Sequence, residues 1–109
     1  SNCITSAGEK IYPEEVERAL KDHDSVRDAL VVDVPDDRWG QAVTGVVELA
    51  DGARADEDEL RAFVRTKLAA YKAPKRVLFA DDLKRAPNGK ADYKRIRNIA
   101  YEALGLSAS

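Results

Sequence analysis

Apolar residues in this chain fall into short blocks whose spacing switches between the two-residue period of strands and the 3.6-residue period of helices. Residues 3–5 and 10–12 read as extended segments around Ser6-Ala7-Gly8-Glu9, which predicts a β-hairpin. Pro13 then opens a predicted helix running to about residue 23, with Val16, Ala19 and Leu20 on its apolar face. Glu14, Glu15 and Glu17 suit the positive end of that helix and read as a helix-start face, not a catalytic pair. Residues 26–34 are mostly apolar and β-branched, as in an inner strand, and Pro35-Asp36-Asp37 is expected to end it. A second strand follows at 42–49, with Val43, Gly45, Val47 and Leu49 on one face. The modest loop between the two predicts antiparallel pairing.

The second half repeats the alternation. Asp51-Gly52 marks a turn, and Asp56 with Glu59 forms an aspartate version of the capping box. The helix it opens carries Leu60, Phe63, Val64 and Leu68 as its expected buried stripe. Pro74 prevents that helix from running through the connector 71–76. Residues 77–80 predict a third strand and residues 81–89 a polar loop. A final helix over about 92–104, capped by Asp92, places Ile96, Ile99, Ala100, Ala103 and Leu104 in register. The fold class is therefore α+β: a small three-stranded sheet covered by helices, preceded by a short β-hairpin.

Composition adds limits. A length of 109 residues predicts one domain able to enclose its own core, and 44% hydrophobic with 35% charged residues fits a globule with a charged surface. The net charge of −2 gives no overall field to recruit nucleic acid or an anionic membrane. Lys90, Lys94, Arg95 and Arg97 make a local basic stretch with one tyrosine, which suits the phosphates of a small ligand better than nucleic acid. Cys3 is the single cysteine and reads as an inert thiol, which fits a cytoplasmic setting; no apolar run is long enough to span a bilayer. His23 has no second histidine or cysteine cluster near it and reads as structural or solvated, so no metal site is expected. Methionine is absent, even at position 1, which implies a segment of a longer polypeptide.

Three polar segments fit neither core nor generic turns. Pro87-Asn88-Gly89-Lys90 is a tight turn that holds out a lysine, a compact point charge suited to phosphate or carboxylate. The connector Tyr71-Lys72-Ala73-Pro74-Lys75-Arg76 alternates aromatic and basic groups. Ser6-Ala7-Gly8-Glu9-Lys10-Ile11-Tyr12-Pro13 carries the hairpin turn into the first helix. Together, "GEKIYPEEVE", "VPDDRWGQ", "YKAPKRV" and "PNGKADYKR" occur in the order and spacing of one family. Over about residues 3–97 the chain resembles the C-terminal domain of the adenylate-forming (AMP-binding) superfamily. That superfamily comprises acyl-CoA synthetases, the adenylation domains of peptide synthetases, and luciferases. The motifs are most like those of an acyl-CoA synthetase, or fatty-acid–CoA ligase.

The resemblance implies an ATP-dependent acid–thiol ligase in which residues 1–109 are the mobile C-terminal domain. A hinge and a large N-terminal adenylate-forming domain are then expected upstream, and the isolated domain is expected to be inactive. A carboxylate first attacks the α-phosphate of ATP; the small domain then rotates, and CoA displaces AMP from the acyl-adenylate. Lys90 matches the adenylation lysine. Gly8 matches the glycine beside the pantetheine passage, where the family commonly has two glycines and this chain has Ala7-Gly8. Tyr71, Lys72, Lys75 and Arg76 match a segment near the CoA nucleotide, and Trp39 is expected to add an aromatic wall. ATP and CoA are the implied substrates, with Mg accompanying ATP through the large domain. Two other readings stay open: a free-standing non-catalytic module that binds CoA or a nucleotide, and a peptide-synthetase adenylation domain.

Overall fold

The computed structural model describes residues 3–106. Strands β1 (Ile4–Ser6) and β2 (Glu9–Ile11) pair antiparallel, so the predicted hairpin is present with Ala7-Gly8 as its two-residue turn. Both turn residues take positive φ, 49° at Ala7 and 83° at Gly8. Hairpin turns of the mirror-image kind need that geometry, and glycine supplies it freely. Alanine does not, because its Cβ crowds the backbone at a cost of about 1–2 kcal/mol. The Ala7 N–H donates to the Trp39 carbonyl at 2.9 Å, which helps hold the strained residue in place.

Helix α1 (Pro13–Lys21) has proline in its first turn, as expected, and ends two residues short of the sequence estimate. Strands β3 (Val26–Asp36) and β4 (Gly40–Leu49) form the predicted antiparallel pair. Pro35 does not end β3 but lies inside it, opposite Gln41. The sheet order β3-β4-β5 explains this: β3 is an edge strand, where proline is tolerated because one side of the strand needs no ladder partner. Helix α2 (Glu57–Lys67) starts at Asp56, whose side chain accepts the Glu59 N–H at 2.8 Å. A single 3₁₀ turn (Ala70–Lys72) leads to β5 (Arg76–Phe79), which runs parallel to β4. Helix α3 (Tyr93–Ala103) is capped by Asp92, which accepts the Arg95 N–H at 3.1 Å.

Two cores lie on opposite faces of the sheet. Val16, Ala19 and Leu20 of α1 and Leu60 and Val64 of α2 pack on Ala29, Val31, Val43 and Val47. Ile96 and Ala100 of α3 pack with Leu83 on Leu30, Val32, Val34 and Val46. Strands β3 and β4 are covered on both faces, hence their nearly unbroken apolar sequence. Phe63 within α2 and Leu68 at its C-cap, placed in the buried stripe by spacing, are only half-buried, and Ala103 is exposed on α3. Gly45 has a packing role, since a Cβ there would stand 3.1 Å from the Leu20 side chain. Gly45→Val is expected to cost about 1–3 kcal/mol, read by chemical denaturation, because α1 must move to admit it.

A carboxylate takes one amide on each outer strand of the sheet. Glu17 of α1 accepts the Val31 N–H at 2.9 Å on the β3 edge, and Glu57 of α2 accepts the Val77 N–H at 2.8 Å on β5. Glu17 is 6% exposed and so, unlike Glu14 and Glu15, acts inside the fold and not only as part of the helix-start face. The same Glu17 oxygen accepts the Tyr93 hydroxyl at 2.8 Å, tying α1 to α3. Burial raises the Glu17 pKa above its ordinary value, partly offset by these two bonds. The Tyr93 phenol is pushed up by burial and by its bond to Glu17.

Candidate functional site

The lysine turn is built from its own sequence. The Gly89 N–H donates to the Ala86 carbonyl at 2.7 Å, closing a β-turn with Pro87 and Asn88 at its centre. Gly89 takes φ of 85°, and the Lys90 N–H donates to the Asn88 side-chain oxygen at 3.0 Å. The Ala86 N–H closes the loop on the Lys90 carbonyl at 3.0 Å. Lys90 is exposed, and among the described residues its ammonium has no ion-pair partner. Arg85 anchors this turn to Asp28, near the start of β3.

A second group gathers at the other end of the sheet. Asp36 accepts the N–H groups of Arg38 and Trp39 at 2.8 and 3.0 Å, folding "DDRWG" into a turn that sets the indole. The Lys75 ammonium lies 4.5 Å from the Trp39 ring centroid, and the Arg38 guanidinium lies 4.9 Å from it. The Lys75 N–H donates to the Val43 carbonyl at 2.8 Å, so β4 fixes the start of the connector. Burial lowers the Lys75 pKa, and the nearby charges of Arg61, Arg65 and Arg38 lower it further. Ala7, beside Gly8, reaches this group through its bond to the Trp39 carbonyl.

The fold therefore joins Trp39, Lys75 and the Gly8 turn, and separates them from Lys90. Eight residue steps along β3 divide Asp28 from Asp36, roughly 26 Å at the usual strand rise. Tyr71 is exposed, and Lys72 is ion-paired to Glu15 of α1 at 2.9 Å. Arg76 is exposed at the start of β5. Sequence reasoning missed Arg38 as a cation over the indole, although it stands beside Trp39 in the quoted motif. Arg61 and Arg65 were invisible without the fold, because only the packing of α2 brings them near Lys75. His23 is structural: its Nδ1 accepts the Ser25 N–H at 3.0 Å, so Nε2 carries the proton to Glu59 at 2.9 Å. That bond occupies the Glu59 carboxylate of the expected capping box.

The exposed lysine turn and the cation-flanked indole thus lie at opposite ends of a helix-covered sheet. The chain belongs to the family described as AMP-binding enzyme C-terminal domain, which matches residues 15–90. It is 56% identical over 94 residues to a 3-oxocholest-4-en-26-oate–CoA ligase of Rhodococcus rhodochrous, covering 86% of this chain and 17% of that protein. It is 55% identical over 94 residues to a medium/long-chain-fatty-acid–CoA/3-oxocholest-4-en-26-oate–CoA ligase of Mycobacterium tuberculosis, covering 86% of this chain and 17% of that protein. A Brucella canis acyl-CoA synthetase structure superposes with a TM-score of 0.86 at 34% identity, over 95% of this chain and 20% of that one. The chain thus spans about a fifth or less of the length of these relatives.

Proposed function

We propose that this chain is the mobile C-terminal domain of an ATP-dependent, AMP-forming acyl-CoA ligase, partnered by a large N-terminal domain of the same polypeptide. The observation that carries this reading is the placement of two cationic groups at opposite ends of one sheet. They cannot serve one active site at once, but a rotating domain presents them in turn. Lys90 faces ATP during adenylation, where negative charge grows between the attacking carboxylate and the α-phosphate. After rotation, Trp39 and Lys75 receive the CoA nucleotide by stacking and phosphate pairing, with Arg38 beside them. Tyr71, Lys72 and Arg76 line the approach, and Gly8 leaves room for the pantetheine arm.

Lys90 is exposed and Trp39 and Lys75 are half-buried at the surface, outside any enclosed cavity, which supports a site shared with another domain. A cleft of about 300 Å³ between α1, β3 and α3 is lined by Pro13, Val31, Tyr93 and Arg97 and contains neither group. Mg accompanies ATP through the N-terminal domain; among the described residues no group of three or more His, Cys, Asp or Glu side chains is placed to hold a metal ion. Among the described residues no helix is long and apolar enough to cross a membrane, and we place the enzyme in the cytoplasm. The acid is of the fatty or sterol-derived kind named for the relatives, selected by the N-terminal domain.

Trp39→Ala and Lys75→Ala in the full-length enzyme are each expected to raise KM for CoA about tenfold, the scale of one lost base stack. Adenylate formation should be unchanged. Steady-state kinetics with CoA varied reads this, and an unaltered CoA dependence in both variants would overturn the CoA assignment.

A further inference from the structure

Arg85 stands five residues before Lys90 and ties the lysine turn to the sheet with three hydrogen bonds. Its Nε donates to Asp28 Oδ2 at 2.7 Å and its Nη2 to Asp28 Oδ1 at 3.0 Å, a two-pronged grip on one carboxylate. Its Nη1 donates to the Gly89 carbonyl at 3.0 Å. That carbonyl belongs to the peptide plane that includes the Lys90 nitrogen, so holding the oxygen fixes the plane from which the lysine departs. The Asn88 side chain accepts the Lys90 N–H of the same plane at 3.0 Å. Both ends of that peptide are therefore held.

Asp28 is a firm base for this contact. The Ala29 N–H donates to its Oδ1 at 2.9 Å, and the residue lies in β3, paired to Glu48 of β4. Burial alone would raise the Asp28 pKa, but the Arg85 and Ala29 bonds outweigh it and hold the carboxyl below its ordinary value. The loop before Arg85 is also pinned. Leu83 is buried, its N–H donates to Glu48 at 3.1 Å, and Lys84 takes φ of 55°. The flexible reach between sheet and ammonium is thus reduced to residues 86–90.

We propose that Arg85 is a positioning residue for Lys90, setting through the Gly89 carbonyl the direction in which the turn projects its ammonium. The inference rests on the assignment of Lys90 to adenylate formation. Lysine at position 85 would keep the charge but could not hold Asp28 with two prongs and the carbonyl with a third.

The test uses the full-length enzyme, with adenylate formation and thioester formation from supplied acyl-adenylate measured separately. Arg85→Met is expected to slow adenylate formation about ten- to a hundredfold, as small misplacements of reacting groups do. KM for ATP and the thioester step should hold within about twofold. Arg85→Lys should recover part of the loss, and Asp28→Asn, which keeps the shape of the partner, should show a smaller loss in the same half-reaction. Asp28→Asn also serves if Arg85→Met fails to fold. Equal slowing of both half-reactions, or no slowing, in these variants overturns the inference. Lys90→Ala is measured alongside: if it leaves adenylation intact, the assignment of Lys90 itself has failed. If it abolishes adenylation while the Arg85 and Asp28 variants do not slow it selectively, the positioning role alone has failed.

Discussion

Lys90→Ala in the full-length enzyme is expected to lower the rate of adenylate formation about 10²- to 10³-fold, the usual consequence of deleting one preorganised charge or donor from a transition state. Thioester formation from supplied acyl-adenylate should continue at the wild-type rate. The asymmetry follows from geometry. Lys90 sits on the Arg85–Asp28 end of the sheet, and the Trp39–Lys75 group sits at the other. A pose that brings one group to the reacting atoms turns the other away. Rapid-quench measurement of adenylate and thioester in separate half-reactions reads the difference. Equal loss in both steps would remove Lys90 from its assigned role. Since Lys90 is exposed and carries no packing, its removal should leave the melting temperature of the protein nearly unchanged.

The second large effect concerns stability. Glu17→Ala would leave two donors without an acceptor, the Val31 N–H and the Tyr93 hydroxyl. Orphaning them is expected to cost about 2–5 kcal/mol, a large share of what holds a domain of this size together. Thermal or urea denaturation reads this, and a loss below about 1 kcal/mol would mean the network does not tie α1 to α3. Glu17→Gln keeps an acceptor oxygen and should cost much less. It should also change the pH dependence. A carboxyl whose pKa is higher in the fold than in the unfolded chain favours folding below its ordinary value of 4.5. That contribution is lost as pH rises through the raised folded value, and Glu17→Gln should remove this decline. Asp28 acts in the opposite sense: its depressed pKa contributes stability above its ordinary 3.8, which is lost as pH falls through the folded value. Asp28→Asn should therefore flatten the acid limb of the same curve.

What the sequence disclosed and what it concealed differ by the distance over which each contact acts. The Asp56 and Asp92 caps, the Ala7-Gly8 hairpin and the Pro87–Lys90 turn depend on residues within a few positions of one another, and all were legible. The apolar run of β3 marked it as a strand, and alternation found the β4 face of Val43 and Val47, though not the opposite face of Ala42 and Val46 that packs with α3. Pro35 was misread because an edge strand and a central strand share the same sequence signature, and only the sheet order separates them. Glu17 looked like any glutamate at a helix start. Its partners lie 14 and 76 residues away, beyond the reach of local pattern. The site divides in the same way. Lys90 and Trp39 stood out through their local motifs, whereas the stacking of Lys75 on Trp39 needed the return of the chain beside β4. The grip of Arg85 on Asp28 spans 57 positions and had no local trace.

The carboxylates of Glu17 and Glu57 have a further consequence. By occupying an amide on each outer margin of the sheet, they deny a foreign strand part of the ladder on which it could add. A domain so finished leaves mainly its side chains and loops for contact with a neighbour. Such contacts can be made and released without unpicking backbone, which suits the change of docking pose proposed for this domain.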